Sequence, residues 1–219
     1  MSRAIYCISG LGADERVFSR LDVPGIHLLP LPWLTPVPAE PIGDYADRMR
    51  AGISLERPVL LGVSFGGMMA IEMAKHIPGA TVILLSSVCE WRQLPLWIRA
   101  GGRVYPAGLF PSIQRHKWRV PFIERHFIGV ESAEDSRLVN EFQEKVDPRY
   151  MAWAINTIAR WRNEWRPASL FHIHGGKDRM FPLRNVQPTH VVPDGSHLMV
   201  FNRPQAVSGI LREIVVQDA

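Results

Sequence analysis

The pentapeptide Gly62-Val63-Ser64-Phe65-Gly66 sets a serine between glycines, with an apolar run from Val59 before it and a stretch of helical spacing after it. A serine carried on a sharp strand-to-helix turn needs small neighbours, because the backbone there is strained and its flanks approach closely. Gly67 extends that small-residue packing. The turn would expose the Ser64 hydroxyl above the end of a strand. A hydroxyl is a weak nucleophile until a base takes its proton, so the chemistry implied is covalent catalysis with a histidine supplied from elsewhere in the chain.

Of the eight histidines, His197 is the one placed for this. It follows Asp194-Gly195-Ser196 just beyond the last apolar run, at the strand-end edge where Ser64 emerges and where open α/β sheets gather their catalytic groups. His172 and His174 belong to or end a strand, His27 and His190 start strands, and His76, His116 and His126 lie on helical segments, so these read as packed or solvated residues. An imidazole base needs a carboxylate to fix its tautomer and stabilise the imidazolium. Asp178, in His174-Gly175-Gly176-Lys177-Asp178, directly follows the fifth strand on a turn that two glycines allow. Glu90, just after the fourth strand, and Asp194, beside the histidine, compete for the role, although Asp194 precedes a glycine and suits a turn.

These residues have to be positioned by a scaffold, and short runs rich in Val, Ile and Leu recur with helical stretches between them, the mark of a parallel sheet flanked by helices. Six strands are expected: Ala4 to Ser9, Ile26 to Leu31, Val59 to Ser64, Thr81 to Ser86, Leu170 to His174 and Thr189 to Val192. Helices are expected over Asp14 to Leu21, Ile42 to Ile53, Phe65 to Ile77 and Pro204 to Val216. The proline-rich run Pro30 to Pro41 reads as an extended surface connection.

The alternation breaks between Glu90 and Arg166. That segment has no convincing strand but carries helical patterns at Ala133 to Val146 and Pro148 to Trp161, and it is too long for a loop. The division expected is a core of residues 1–89 and 167–219 with a helical cap inserted at 90–166. Six of the seven tryptophans (Trp91, Trp97, Trp118, Trp153, Trp161 and Trp165) lie in the cap, most of them expected to pack it onto the sheet, the rest to line an apolar cleft.

With 219 residues, 47% hydrophobic and 21% charged, the chain has the profile of an ordered protein of one domain or two. The net charge of +4 is localised, since the cap holds 13 Lys and Arg against 9 Asp and Glu and the remainder balances. No block of like charges and no zinc-finger or aromatic RNA-binding signature occurs, which argues against a nucleic-acid partner. The apolar runs are far shorter than the ~20 residues that cross a bilayer, and the N-terminus lacks the pattern of a signal peptide. A cytoplasmic protein without a membrane partner is expected, with Cys7 and Cys89 as buried, reduced thiols.

The order Ser64, Asp178, His197, together with the elbow at Gly62 to Gly67, the acid loop at Gly175 to Pro182 and the histidine loop at Gly195 to His197, resembles the α/β-hydrolase superfamily in its small bacterial esterase form, over nearly the whole chain. The family commonly begins with an antiparallel hairpin that this chain lacks, which implies a trimmed sheet with all strands parallel. The resemblance also implies two oxyanion donors: the N–H of Phe65, directly after the nucleophile, and the N–H of Leu11 in Ser9-Gly10-Leu11-Gly12, where the family often has His-Gly. Its implied activity is cofactor-independent hydrolysis of a small to medium carboxylic ester or thioester through an acyl-enzyme, with a small-molecule acyl substrate and no metal. C–C bond hydrolysis, acyl transfer and a slow-turnover ligand receptor are alternatives on the same fold.

Overall fold

The computed structural model describes residues 3–104, 122 and 124–217. Its sheet has six strands: β1 (Arg3–Ile8), β2 (Ile26–Pro30), β3 (Val59–Val63), β4 (Thr81–Leu85), β5 (Ser169–Gly175) and β6 (His190–Val192). They lie in the order β2-β1-β3-β4-β5-β6, and every pairing is parallel. Each strand falls within one residue of its expected ends. β3 and β4 stop one residue early for a physical reason: Ser64 and Ser86 adopt φ of 54° and 45°, a left-handed conformation that cannot continue a ladder.

Alternate residues on a strand point to opposite faces, and here both faces are buried. Tyr6, Ile8, Leu60, Val82 and Leu84 enter one core with α1 (Ile42–Arg50) and α2 (Phe65–Ala74). Ile5, Cys7, Leu61, Val63, Ile83 and Leu85 enter the other, with the short α6 (Met199–Asn202) and α7 (Pro204–Gln217). α2 is buried on every side, so its one carboxylate, Glu72, is paired: Lys75 and the Trp161 indole both donate to it, each at 2.7 Å. α1 and α2 are shorter than expected. Beyond Arg50 and Ala74 the chain makes three-residue turns, such as Ile53 N–H to Arg50 C=O at 2.9 Å and Ile77 N–H to Ala74 C=O at 3.2 Å, which satisfy the free carbonyls of the helix ends. The expected helix at 14–21 is only a 3₁₀ turn, Glu15–Phe18.

Between β4 and β5 run α3 (Leu96–Val104), a π-helical turn (Glu124–Ile128), α4 (Ala133–Lys145) and α5 (Pro148–Arg160). Ser132 and Asp135 form a reciprocal capping box that starts α4, and Asp147 with Pro148 starts α5. The two ends of the segment meet, since Asn163 donates to the Cys89 carbonyl at 2.9 Å and accepts at its own carbonyl from Trp91 N–H at 3.0 Å. α5 is seated on the core by Trp153, which stacks on Tyr45 with centroids 4.2 Å apart and donates to the Glu40 carbonyl at 2.8 Å, and by the Trp161 bond to Glu72. Trp97 and Trp165 are exposed, and Trp118 lies outside the described residues. Among the described residues no helix is long and apolar enough to cross a membrane.

Candidate active site

β1 and β3 are neighbours, but the chain leaves them in opposite directions, β1 toward β2 and β3 toward β4. Loops that diverge in this way open a crevice at the carboxyl ends of the two strands, the usual ligand position in such sheets. Both sequence motifs with catalytic potential stand at that crevice: Ser9 to Gly12 after β1, and Ser64 after β3. Ser64 heads α2 with φ 54° and ψ −117°. The flanking glycines are demanded by contact, because a Cβ on Gly62 would lie 2.3 Å from the Gly66 carbonyl oxygen and one on Gly66 would lie 2.3 Å from that of Ile8. Ser87 Oγ donates to the Ser64 carbonyl at 2.6 Å and Ser64 N–H donates to Leu85 at 2.9 Å, so the strained residue is held at both of its peptide groups.

Asp178 is buried, and its two oxygens have separate partners. Oδ1 accepts from Phe181 N–H at 2.9 Å and Oδ2 lies 2.9 Å from His197 Nδ1. A carboxylate can only accept, so Nδ1 carries the proton and Nε2 is left to accept from the Ser64 hydroxyl, also at 2.9 Å. The three residues singled out in the sequence thus form one hydrogen-bonded line. The competing acids are engaged elsewhere: Glu90 pairs with Arg166 at 2.5 Å, and Asp194 with Lys177 at 2.5 Å.

The loops that carry this line are tied to each other and to the inserted segment. Gly176 N–H donates to Val192 at 2.8 Å and Lys177 N–H to Gly195 at 2.9 Å, joining the acid loop to the histidine loop. Leu198 N–H donates to Ile128 at 2.9 Å, while Ser196 Oγ and Asn202 Nδ2 both donate to Gly129 at 3.2 and 3.0 Å, latching the histidine loop to the segment's π-helical turn. His172 and His174, read from sequence as structural, support the acid. His174 Nε2 donates to the Phe181 carbonyl at 2.7 Å, which leaves its Nδ1 to accept from His172 Nε2 at 3.1 Å. Burial lowers the pKa of both, His172 to about 3, so they remain neutral near pH 7.

Phe65 N–H opens α2 and is one of the donors that helix geometry leaves without an intrahelical partner. Among the described residues the Leu11 N–H has no acceptor either, and its loop runs beside Ser64: a Cβ on Gly10 would sit 3.5 Å from Ser64 Cβ. Two free amides therefore flank the serine from β1 and from α2. Cys7 and Cys89 are buried, free thiols, and burial pushes them up to about 12 and about 11, far from thiolate reactivity.

A cavity of about 500 Å³ lies over Ser64 and His197. Leu11 and Val17 line it from the core, Ile98, Val139 and Phe142 from α3 and α4, and Met151, Ile155 and Ile158 from α5, with Gln143 and Asn156 as its polar side chains away from the serine and histidine. No Asp, Glu, Lys or Arg lines it among the described residues. Of the described tryptophans only Trp97 reaches the cavity, while Trp153 and Trp161 are turned onto α1 and α2, in line with the expectation that most of these tryptophans pack the segment onto the core. Met151, Ile155 and Ile158 were not singled out in the sequence, although their i, i+4, i+7 spacing marks one face of α5.

A model of the alpha/beta hydrolase family matches residues 5–210. No curated protein matches the sequence. Among solved structures, a thermophilic esterase from Thermogutta terrifontis is 16% identical over 99% of this chain and 90% of its own, with a TM-score of 0.67. A Bacillus megaterium epoxide hydrolase is 12% identical over 98% and 94%, with a TM-score of 0.70. A hydrolase from Oleispira antarctica is 9% identical over 98% and 91%, with a TM-score of 0.73. At these identities the shared property is the fold.

Proposed function

Because the chain belongs to the α/β hydrolase family, we propose that it is a serine hydrolase cleaving carboxylic esters or thioesters of neutral, apolar acyl groups through an acyl-enzyme. The observation that carries this reading is the line Ser64–His197–Asp178, with both links at 2.9 Å, opening onto an apolar cavity. Ser64 Oγ attacks the acyl carbonyl as His197 Nε2 takes its proton, and the Asp178 carboxylate holds Nδ1–H and stabilises the imidazolium. The negative charge that develops on the carbonyl oxygen is received by the Phe65 and Leu11 N–H groups. Collapse of the tetrahedral intermediate expels the alcohol or thiol, which takes the proton from His197. Water, activated in turn by His197, then attacks the acyl-Ser64 ester and releases the carboxylic acid. The atoms balance with water alone, so the reading requires no cofactor.

The lining supports the acyl class. With no charged side chain among the described lining residues, the cavity offers an anionic acyl group no counter-ion, whereas each buried methylene contributes ~0.8 kcal/mol. Burst hydrolysis of p-nitrophenyl esters, acetyl to decanoyl, beside an anionic succinyl ester at low and high salt tests the reading. A climb in kcat/KM to a chain-length cutoff, with little salt dependence, supports it. A strong succinyl preference that collapses with salt would replace the apolar acyl group with an acidic one read by the arginines of residues 90–166.

A further inference from the structure

The two amides that flank Ser64 come from different parts of the chain, and one side chain touches both of their supports. We propose that Trp33 is a positioning residue that sets the two oxyanion donors together, an inference that rests on the reading of Ser64 as nucleophile. Its indole Nε1–H donates to Ser9 Oγ at 2.9 Å, and Ser9 Oγ donates to the Ala13 carbonyl at 2.7 Å. The second bond spans the loop that presents Leu11 N–H, and Ala13 N–H returns to the Gly10 carbonyl at 3.1 Å, so the loop is closed twice. Ser9 is buried, so its hydroxyl needs partners in the fold, and Trp33 donates the one it would otherwise lack.

The same indole lies flat on Phe65, with centroids 5.2 Å apart and planes 7° from parallel, which fixes the residue whose N–H is the other donor. Trp33 is itself held. Tyr150 packs against it at 5.2 Å, and the Tyr45 hydroxyl, beside it, accepts from Leu34 N–H at 2.7 Å and donates to the Leu34 carbonyl at 2.8 Å, pinning the next residue of the chain. The proline-rich connection is therefore a rigid arm carrying one aromatic tool to the crevice. A misplacement of about 1 Å in a catalytic group can cost on the order of 10²-fold in rate, so the effect belongs in turnover rather than in ground-state binding.

Trp33→Phe keeps a ring for the stack and deletes the N–H, while Ser9→Ala deletes its partner. Both should lower kcat on a neutral p-nitrophenyl ester by about 10- to 100-fold with KM within about twofold, and weaken a trifluoromethyl ketone inhibitor in parallel, since its adduct carries the oxyanion. The double variant should lose no more than Ser9→Ala, because Ser9→Ala already removes the indole bond together with the bond to the Ala13 carbonyl, and Ser9→Thr should regain most of the loss. Thermal unfolding of each variant is measured alongside, and if Trp33→Phe does not fold, replacement of Trp33 by β-(3-benzothienyl)alanine, which keeps the bicyclic ring and lacks the N–H, takes its place. Wild-type kcat in either deletion, losses that multiply in the double variant, or a change confined to KM overturns the role of Trp33. A wild-type protein that neither hydrolyses the ester nor takes up a fluorophosphonate instead overturns the reading of Ser64, a distinguishable failure.

Discussion

The carboxyl edge of the sheet and the helical segment laid over it are built on opposite principles. At the edge, position is set by backbone: glycines on which a Cβ would lie 2.3 Å from a neighbouring carbonyl oxygen, a serine at φ 54°, and loops joined by main-chain hydrogen bonds. Over it, position is set by side chains. Met151, Ile155 and Ile158 face the cavity, and the helix that carries them is fixed to the core chiefly through Trp153 and Trp161. An apolar wall can change its shape by a residue at a time, whereas the edge admits no added atom at Gly62, Gly66 or Gly175. In the function proposed, the edge carries the chemistry and the cover the choice of substrate.

The largest expected effects follow from the edge. Asp178→Asn leaves the shape but offers His197 an amide in place of the carboxylate, and kcat should fall by about 10⁴-fold with unfolding unchanged. Steady-state kinetics beside a melting curve checks this. Glu90→Gln, which changes an acid paired with Arg166, should stay within about twofold of wild type, the scale of an exposed ion pair. The reverse ranking would move the acid to the end of β4 and break the comparison at its root.

How much of this was legible in the sequence follows the same division. Ser64, Asp178 and His197 were readable because each lies in the loop or turn that follows a strand, β3, β5 and β6 in turn, and apolar runs bounded by glycine mark strand ends. The all-parallel sheet was equally readable. Trp33 was not, since its partners Ser9 and Phe65 lie 24 and 32 residues away and the run Pro30 to Pro41 has no periodicity to reveal a buried face. The cavity wall was half readable: α4 and α5 appear as helical spacing, but the spacing alone does not say which tryptophans turn toward the core and which toward the crevice.

A second expected effect concerns acid. His172 is held neutral in the fold at a pKa of about 3, whereas an unfolded histidine titrates near ~6.5. Between those values the unfolded chain binds the extra proton, so this contribution to stability is fully present above about pH 6.5 and is lost as the pH falls toward 3, by up to about 1.4 kcal/mol per pH unit. Urea unfolding at pH 7, 5.5 and 4 should show this slope, and His172→Gln should flatten it. An identical slope in the variant would remove His172 from the support of the acid loop.

The smallest effects sharpen the role of the cover. At ~0.8 kcal/mol per methylene, each added carbon should raise kcat/KM by up to about fourfold until the cavity is full. Ile155→Trp, which fills space on α5, should shorten the preferred acyl chain by a few carbons while leaving acetyl ester turnover within about threefold. A uniform loss for all chain lengths would mean that the cover shapes the chemistry as well as the choice.

The strained serine at the end of β3 is proposed as the nucleophile, and Ser86 provides an internal control. It too follows a strand with positive φ, 45°, and it is buried with its hydroxyl unpartnered among the described residues, but it does not line the cavity and no histidine bond reaches it. Peptide mapping by mass spectrometry after treatment with a fluorophosphonate distinguishes the two directly. If Ser64 is the nucleophile, one adduct is expected, on the peptide containing Ser64, absent in Ser64→Ala together with a loss of at least about 10⁴-fold in kcat. An adduct on Ser86, Ser87 or Ser196, or ester hydrolysis undiminished in Ser64→Ala, would contradict it.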